Sequence, residues 1–509
     1  MKVLNMYQLH TVDQATMNAE QISSLQLMEK VAERFCNYFC KNVNRFSHVL
    51  FLCGMGNNGG DGLALARLLY LKKKFPSKIS VAVVRYRTDF SADAQVNFDT
   101  LPAELKSSLV EIHSEQDFEN LRLSDSTLLV DALLGTGTNR PVEGLLKAVI
   151  EKMNQLPNSV ISLDVPSGLY IDQPMNEKEK VALQANLVLT IETPKLAFFM
   201  PENAAFVPDF HILNIPLDKK AQENADSTLE FLEEADIRAI LEVRPKFSHK
   251  GIFGHGLLFA GSRGKSGAAL IAAEACLRSG AGLLTVHATQ NVVDALAVRL
   301  PETMTEVDEN QSFITYAGTL KNYRAVGFGS GVGTQEETAR VLNSILKQVQ
   351  ANIVIDADGL NILAENKTWL EFLPYHTILT PHPKEFERLV GHSFKNSFDR
   401  LEEARNFAQK YGCILVLKDA YTSICLPNGQ TFFNSTGNAG LAKGGSGDAL
   451  TGILLGLLTR GYHPVKATII GVFVHGLAAD LCAEKTSQES FLISDVIQKL
   501  GRAFRKLEE

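Results

Sequence analysis

A short apolar run that breaks into a loop of glycines and polar residues, then into a helical pattern, recurs along the whole chain. In the first half the runs are His48–Cys53, 79–84, 127–134 and 160–165, and three of them end in loops beginning at Gly54, Gly135 and Pro166. Each run has the length of a strand and is too uniformly apolar to leave one face in water, so both faces must be covered. Helical segments such as 23–43 and 142–154 supply the cover, and the alternation predicts a doubly wound parallel sheet with its ligand over the carboxyl ends of the strands. Asp131 and Asp164 then arrive at the same edge, although each taken alone is equally a turn or capping residue.

The pattern resumes with runs 257–260, 325–328, 353–356, 377–380 and 413–417. It culminates in 434–452, NSTGNAGLAKGGSGDALTG, where almost every position is small except Asn438, Lys443 and Asp448. Such a stretch reads as a mouth for a ligand: closely spaced glycines let backbone N–H groups turn toward an anion. The apolar run 449–458 predicts a helix whose positive end faces the same point. A carboxylate beside a phosphate cradle is electrostatically costly unless it handles a proton. Asp448 is therefore a candidate base for a hydroxyl that attacks a phosphate, the plainer alternative being an acidic helix N-terminus.

Other motifs are weaker. The loop at Gly54 formally matches the dinucleotide fingerprint, but Asp61 and paired asparagines at the following helix repel a pyrophosphate and suit sugar hydroxyls, a neutral ring or a cation. A Walker A reading of Lys265 fails because Phe259 stands where glycine is required. The DADG at 356–359 lacks the rest of a calcium loop and reads as the cap of a helix near Leu360. His382, stiffened by two prolines, is equally structural or binding, and Lys418 with Thr422 at a strand end suits a nucleotide diphosphate or a solvated turn.

Composition bounds the partners. A chain of 509 residues that is 45% hydrophobic has room for two or more full cores. A net charge of −7 without a long basic run argues against nucleic acid. The apolar stretches near 453–458 and 469–474 fall well short of the roughly 20 residues that cross a bilayer, so no membrane partner is expected. The first residues have no apolar core or cleavage pattern, and seven cysteines without CxxC spacing suit a reducing, cytoplasmic setting. Cys36 and Cys40 share a helical face and read as packing. The polar stretch 218–228 reads as a linker between domains 1–217 and 229–509.

Taken in order, NNGGDG, VDALLGTGTNR, SLDVPSGL and the TPK ending at Lys195 resemble the NAD(P)H-hydrate epimerase domain. The resemblance implies that Asn57, Asn58, Gly59, Gly60 and Asp61, with Gly135, Thr136, Gly137, Thr138, Asn139, Arg140 and Pro141, hold the hydrated dinucleotide, Gly135 to Thr138 lying near its phosphates. It implies that Asn58, Asp131 and Ser167 bind K+, a hard cation suited to oxygen ligands. Asp164 would contact the substrate and move a proton at the hydrated ring carbon, with Lys195 as a candidate partner.

The later series GHG, AGS, GSGVG, DADGLN, TPHPKE, LKDAYT and TGNAGLAKGGSGD resembles the nucleotide-dependent NAD(P)H-hydrate dehydratase domain of ribokinase-like fold. That resemblance implies that Ala268, Gly331, His382 and Asp448 contact the hydrated cofactor, and that Lys418, Asp419, Ala420, Tyr421, Thr422 and Gly447 contact the adenine nucleotide. Asp448 would activate the ring hydroxyl for phosphorylation, and loss of phosphate would restore the double bond. Asp419 departs from the family pattern, which has glycine after the lysine. The domain order is similar to that of bacterial members, which implies ADP with Mg2+ as the phosphoryl donor.

The expectation is thus an α/β protein with two doubly wound domains, a Rossmann-like three-layer sandwich followed by a ribokinase-like α/β/α domain. The first would interconvert the R and S forms of hydrated NADH and NADPH, and the second would dehydrate the S form at the expense of ADP; a homo-oligomer is expected. Two rival readings share the same residues. One is a ribokinase-type kinase of a small alcohol with a regulatory first half, the other a first half that senses a ligand without catalysis.

Overall fold

The computed structural model describes residues 1–43, 45–72, 75–175, 180–215 and 219–509. The chain divides between Ser227 and Thr228 into two compact units, with Met1 joined to the second.

The amino-terminal unit is built on seven strands: β1 (His48–Cys53), β2 (Lys78–Val84), β3 (Val110–Ile112), β4 (Thr127–Ala132), β5 (Val160–Leu163), β6 (Leu187–Ile191) and β7 (Phe210–Leu213). Their order is β3-β2-β1-β4-β5-β6-β7 and every pairing is parallel. Strand order reverses between β1 and β4, so the chain splays apart over the ends of these two central strands and leaves a crevice there. Both are apolar along their length because both faces are covered: Val49, Phe51, Leu128 and Val130 pack into one core, Leu50, Leu52 and Leu129 into another.

The segment after β1 differs from expectation. Its helix runs Asn57–Leu71, so NNGGDG is not a loop but the opening turns of that helix. The physical reason is close approach to the sheet. A Cβ on Gly59 would sit 2.0 Å from the Gly54 carbonyl oxygen, and one on Gly62 would sit 2.6 Å from the Ala132 Cβ. The glycines let the helix start against the strand ends, which places Asn58 and Asp61 over the crevice.

The stretch read as a linker also carries structure, a helix at Lys219–Asn224. Its far end is pinned to the chain start: Lys2 Nζ donates to the Ala225 carbonyl at 2.5 Å and Ser227 Oγ to that of Val3 at 2.7 Å. The expected boundary between residues 217 and 218 lies outside the described residues.

The carboxy-terminal unit holds a ten-stranded sheet. Its strands are β8 (Leu229–Phe231), β9 (His255–Phe259), β10 (Leu283–Ala288), β11 (Met304–Val307), β12 (Ala325–Phe328), β13 (Asn352–Ile355), β14 (Ile378–Leu379), β15 (Ile414–Leu417), β16 (Ser423–Cys425) and β17 (Thr431–Phe433). The order is β11-β10-β9-β12-β13-β14-β15-β16-β17-β8; β16 runs antiparallel to both of its neighbours, and the remaining pairs are parallel. Again the order reverses, here between β9 and β12, and the loops after β9, β12, β13, β14 and β15 open along one edge.

The Ser446–Arg460 helix passes beneath that edge. Gly452 and Gly456 let it lie directly on the Ser266–Arg278 helix: a Cβ at either would come within 2.1 Å of the Ala272 carbonyl oxygen or 2.4 Å of that of Cys276. The next helix, Pro464–Ala483, spans 20 residues and is apolar enough to cross a bilayer, longer than the runs legible in the sequence. Thr468 and His475 interrupt its apolar pattern, and the helix is buried among the core side chains of this unit.

Candidate functional site

In the amino-terminal unit three loops meet at the crevice. Asn58 Nδ2 donates to the Leu134 carbonyl at 2.8 Å, and Ser167 Oγ approaches the same carbonyl at 3.2 Å. Gly135 lies against Asn58, where a Cβ would be 3.2 Å from that of the asparagine. Asp131, fully buried at the end of β4, accepts Ser162 Oγ at 2.8 Å, Ser167 N at 2.9 Å and Ser167 Oγ at 2.5 Å. Burial raises its carboxyl above the ordinary value and these donors oppose the rise; no basic side chain is among the groups acting on it.

Asn58 and Ser167 therefore meet at one backbone carbonyl and Ser167 links them to the buried Asp131 carboxylate, an oxygen-rich set. That donor chemistry fits a hard monovalent cation, and its charge would offset the burial of Asp131. Thr138 folds back on Gly135, its N–H and hydroxyl reaching the Gly135 carbonyl at 3.3 and 3.0 Å. Gly137 has open space around it, and Asn139, Arg140 and Pro141 are exposed on the rim.

Asp164 follows β5 with φ +63°, a left-handed backbone that only a few non-glycine residues adopt here. Such strain persists where surroundings over-determine it, often at a functional position. Its Oδ1 accepts Lys195 Nζ at 2.8 Å, Thr190 Oγ1 at 3.1 Å and Ile191 N at 3.1 Å. Lys195 is 1% exposed and also donates to Thr190 Oγ1 and to the Ile191 and Thr193 carbonyls. An ammonium so occupied has no proton to spare, so it orients Asp164.

Two further acids share this ground. Asp61 is pushed well above the carboxylate range by burial, with Asp164, Asp13 and Asp93 adding repulsion. Burial thus disfavours its charged form. Asp13, on the Met6–Glu20 helix, belongs to none of the motifs read from the sequence. Burial lifts it to about 6, Asp164 adds to the rise, and Lys195 and His10 oppose it.

Because the folded state holds the Asp13 proton more tightly, the stabilisation it provides is complete below the unfolded value of 3.8 and is lost as pH rises through about 6. Asp13→Asn should consequently stabilise the protein near neutral pH by about 1–2 kcal/mol, allowing for partial exposure. The gain should vanish below the unfolded value, which melting curves at the two pH values would measure.

The carboxy-terminal unit assembles a second site. Gly445, at φ +96°, precedes the Ser446–Arg460 helix, so the first-turn amides of Gly447 and Asp448 point out of its positive end. Burial raises the Asp448 carboxyl; the neighbouring Ser330 hydroxyl lowers it, Asp356 raises it and Lys418 lowers it. Ser330 belongs to the turn after β12, where Gly331 lies against Ala268: a Cβ on Gly331 would be 3.1 Å from that of Ala268. Ser262 Oγ donates to the Gly331 carbonyl at 2.8 Å. Ala268, Gly331 and Asp448 thus border one another.

Of the larger residues in the small-residue stretch, only Asp448 is left for a ligand. Asn438 caps a short turn and donates to Asp480, while Lys443 Nζ donates to the Gln488, Glu489 and Phe491 carbonyls. His475, pushed down to about 4 by burial, stands neutral 3.5 Å from Ser446 Oγ.

His382 is the N-cap of the Pro383–Val390 helix. Its Nδ1 accepts the Lys384 and Glu385 amides at 3.1 and 3.3 Å, and Glu385 accepts the His382 N–H at 2.8 Å. The cap requires Nδ1 unprotonated, so a neutral imidazole presents its Nε2–H; burial is the main reason its pKa is lowered. Lys418 Nζ donates to Asp356 at 2.9 Å and stands 3.7 Å from Glu385. A Cβ on Gly447 would lie 3.4 Å from that ammonium, which joins Lys418 to the helix start.

The turn after Lys418 is self-contained. Asp419 pairs with Arg400 at 3.0 Å and accepts the Ala420 amide at 2.9 Å, Thr422 Oγ1 donates to the Asp419 carbonyl at 3.1 Å, and Tyr421 lies between them. Asp419 is not among the residues with positive φ, so aspartate in place of glycine costs no backbone strain.

The DADG motif starts the Asp358–Glu365 helix that contains Leu360, as expected, with Ala357 at its N-cap, but no side chain makes the cap bond. Instead Asp356 holds Lys418, and Asp358 accepts Gly333 N at 2.8 Å and Lys265 Nζ at 3.0 Å, tying two loops to the site.

Comparison with known proteins gives the following. The sequence model of the family described as NAD(P)H-hydrate dehydratase matches residues 256–502, and that of the YjeF-related protein N-terminus matches residues 24–197. The chain is 33% identical to the bifunctional NAD(P)H-hydrate repair enzyme Nnr of Moorella thermoacetica, across 98% of this chain and 96% of that one. It is 32% identical to the Thermofilum pendens enzyme of the same name, across 100% and 97%. The ADP/ATP-dependent NAD(P)H-hydrate dehydratase of Bacillus subtilis, co-crystallised with ATP/Mg2+, is 32% identical over 55% of this chain and 99% of its own, with a TM-score of 0.49.

Proposed function

The chain belongs to the bifunctional NAD(P)H-hydrate repair enzymes, and from that premise we propose how its residues divide the two reactions. The amino-terminal unit is the epimerase and the carboxy-terminal unit the dehydratase. If hydration of the cofactor gives both epimers and dehydration accepts only the S form, one chain carrying both activities leaves no residue of the other.

For dehydration, Asp448 takes the proton of the ring hydroxyl as its oxygen attacks the terminal phosphorus of ADP. The bond to the departing phosphate of AMP breaks. The ring oxygen then leaves as inorganic phosphate, a far better leaving group than hydroxide, and loss of a neighbouring proton restores the double bond. The observation that carries this reading is the placement of a half-buried carboxylate in the first turn of a glycine-flanked helix, where amides stabilise the phosphoryl oxygens and the carboxylate handles the proton.

Ala268, Gly331 and His382 border the ring side; Lys418, Asp419, Ala420, Tyr421, Thr422 and Gly447 border the nucleotide. Mg2+ would come with ADP as the counter-ion of its phosphates, since the buried carboxylates Asp356 and Glu385 already face Lys418.

For epimerisation, Asp164 removes the hydroxyl proton and Asp61, whose neutral form burial favours, gives one to the ring nitrogen as the carbon–nitrogen bond opens. Reclosure on the other face inverts the centre. Asn57, Asn58, Gly59, Gly60 and the 135–141 loop hold the dinucleotide, and Asn58, Asp131 and Ser167 hold K+, which supplies positive charge beside the phosphates.

Seven unpaired cysteines favour a cytoplasmic setting. An apolar groove lined by Leu270, Ile271, Val298 and Ile497 favours a homo-oligomer.

Incubation with both hydrate epimers and ADP should return the absorbance of the reduced nicotinamide completely, with one AMP formed per cofactor restored. A preparation that phosphorylates a small alcohol and restores no absorbance would support the kinase alternative instead.

A further inference from the structure

We infer that Asp356 is a positioning residue of the dehydratase site, a single buried carboxylate that holds the Lys418 ammonium and the catalytic helix in fixed register. The inference rests on the reading of Lys418 as a nucleotide-phosphate ligand and of Asp448 as the base, and adds what keeps the two aligned.

Asp356 stands at the end of β13 and is 1% exposed. Its two oxygens are divided between elements far apart in the chain: Oδ1 accepts Lys418 Nζ at 2.9 Å, and Oδ2 accepts Thr451 Oγ1 at 3.0 Å. Thr451 lies on the Ser446–Arg460 helix, one turn beyond Asp448. Gly447 closes the triangle, since a Cβ there would be 3.1 Å from Asp356 Oδ2 and 3.4 Å from Lys418 Nζ. Any side chain at 447 would push into the contact.

The backbone around Asp356 is held as tightly as its side chain. Its N–H donates to the Phe328 carbonyl at 3.1 Å and its carbonyl accepts Gly359 N at 2.9 Å. Gly329 approaches so closely that a Cβ would sit 1.9 Å from the Asp356 carbonyl oxygen. Ala357, the next residue, adopts φ +49° and ψ −118°, a conformation L-residues rarely take. Strain beside a buried charge marks a place where orientation matters more than local stability.

The need for such a device follows from lysine itself. Its ammonium rides on a stem of four rotatable bonds, and ordering it on each binding event costs conformational entropy. A carboxylate that already holds the ammonium removes most of that cost, and the same carboxylate carries the helix whose first turn bears the base. Burial disfavours the charge of Asp356, yet Lys418, Thr380 and the Ala357 amide together outweigh it and hold the carboxyl below its ordinary value. Glu385 offers Lys418 a second carboxylate at 3.7 Å, but that side chain also serves the His382 cap.

A double-variant cycle tests this. Asp356→Asn keeps shape and can still accept from Thr451, but loses its charge toward Lys418. It should raise the KM for ADP and lower kcat by about tenfold each, while hydrated NADH binds within about twofold of normal. In a Lys418→Gln background the same change should alter kcat/KM by less than about threefold.

Thr451→Val severs only the helix arm and should lower kcat about fivefold with the KM for ADP unchanged. It remains informative if Asp356→Asn fails to fold. Equal effects of Asp356→Asn in both backgrounds, or a normal kcat in Thr451→Val, would overturn the inference. A normal KM for ADP in Lys418→Gln would instead sink the nucleotide reading on which it stands.

Discussion

Asp448→Asn should lower the ADP-dependent return of NADH from its hydrate by about a thousandfold in kcat, the scale on which a general base contributes. Asparagine matches aspartate in shape and is equally compatible with a helix first turn, so folding and ADP binding should survive. The loss would then lie in proton removal. Since burial raises the Asp448 carboxyl, its basic form is depleted at a higher pH than for an ordinary aspartate. The wild-type rate should decline on the acid side of neutrality earlier than an exposed aspartate would allow. Epimer exchange in the same variant, followed by chromatography of the two hydrates, should run at the normal rate. A variant that restores NADH at full speed would remove the proposed base from the mechanism.

Asp164→Asn should produce the complementary loss, with epimer exchange falling by about a thousandfold and dehydration of the S form unaffected. Here a stability effect accompanies the catalytic one. Asparagine tolerates the left-handed backbone at φ +63°, so the strained turn is preserved. Lys195, however, is 1% exposed and loses its ion-pair partner, and an uncompensated buried ammonium costs about 3 kcal/mol. The double variant Asp164→Asn with Lys195→Met removes both charges and should recover most of the melting temperature while remaining inactive in epimer exchange. Recovery of activity together with stability would show that Asp164 serves folding alone. Retention of full epimerisation in Asp164→Asn would favour a sensing role for the first half.

How much of this was legible in the chain depended on how far apart the interacting residues lie. Strand runs such as His48–Cys53 and 325–328 stand out because a strand buried on both faces is apolar at nearly every position, a signal contained within a few residues. The glycines around Asp448 were legible for a related reason, because an anion cradle and its helix are contiguous. Helix starts were less so: Asn57 to Gly62 looks like a loop by composition, and only the packing of Gly59 on Gly54, where a Cβ would sit 2.0 Å from the carbonyl oxygen, explains why a helix begins there.

The roles of His382 and Lys443 were ambiguous for another reason. A histidine before a proline, or a lysine among glycines, takes its function from whichever backbone groups lie within reach. Those proved to be the Lys384 and Glu385 amides for one and three carbonyls 45 to 48 residues away for the other. Asp13 escaped notice altogether, since one acid on the polar side of a helix has no local pattern. Its raised pKa comes from burial and from Asp164.

What the amino acids determined by themselves was the layered α/β architecture, the order of its glycine loops and the kind of chemistry each loop suits, because periodicity and turn chemistry act over a few residues. What only the folded chain decided was which charges meet. Lys418 finds Asp356 across 62 residues, and the Asp61 carboxyl is raised by burial and by the fields of Asp164, Asp13 and Asp93. Electrostatic interactions depend on distance through space and on the exclusion of water, and neither exists until the sheet and its helices have closed around the site.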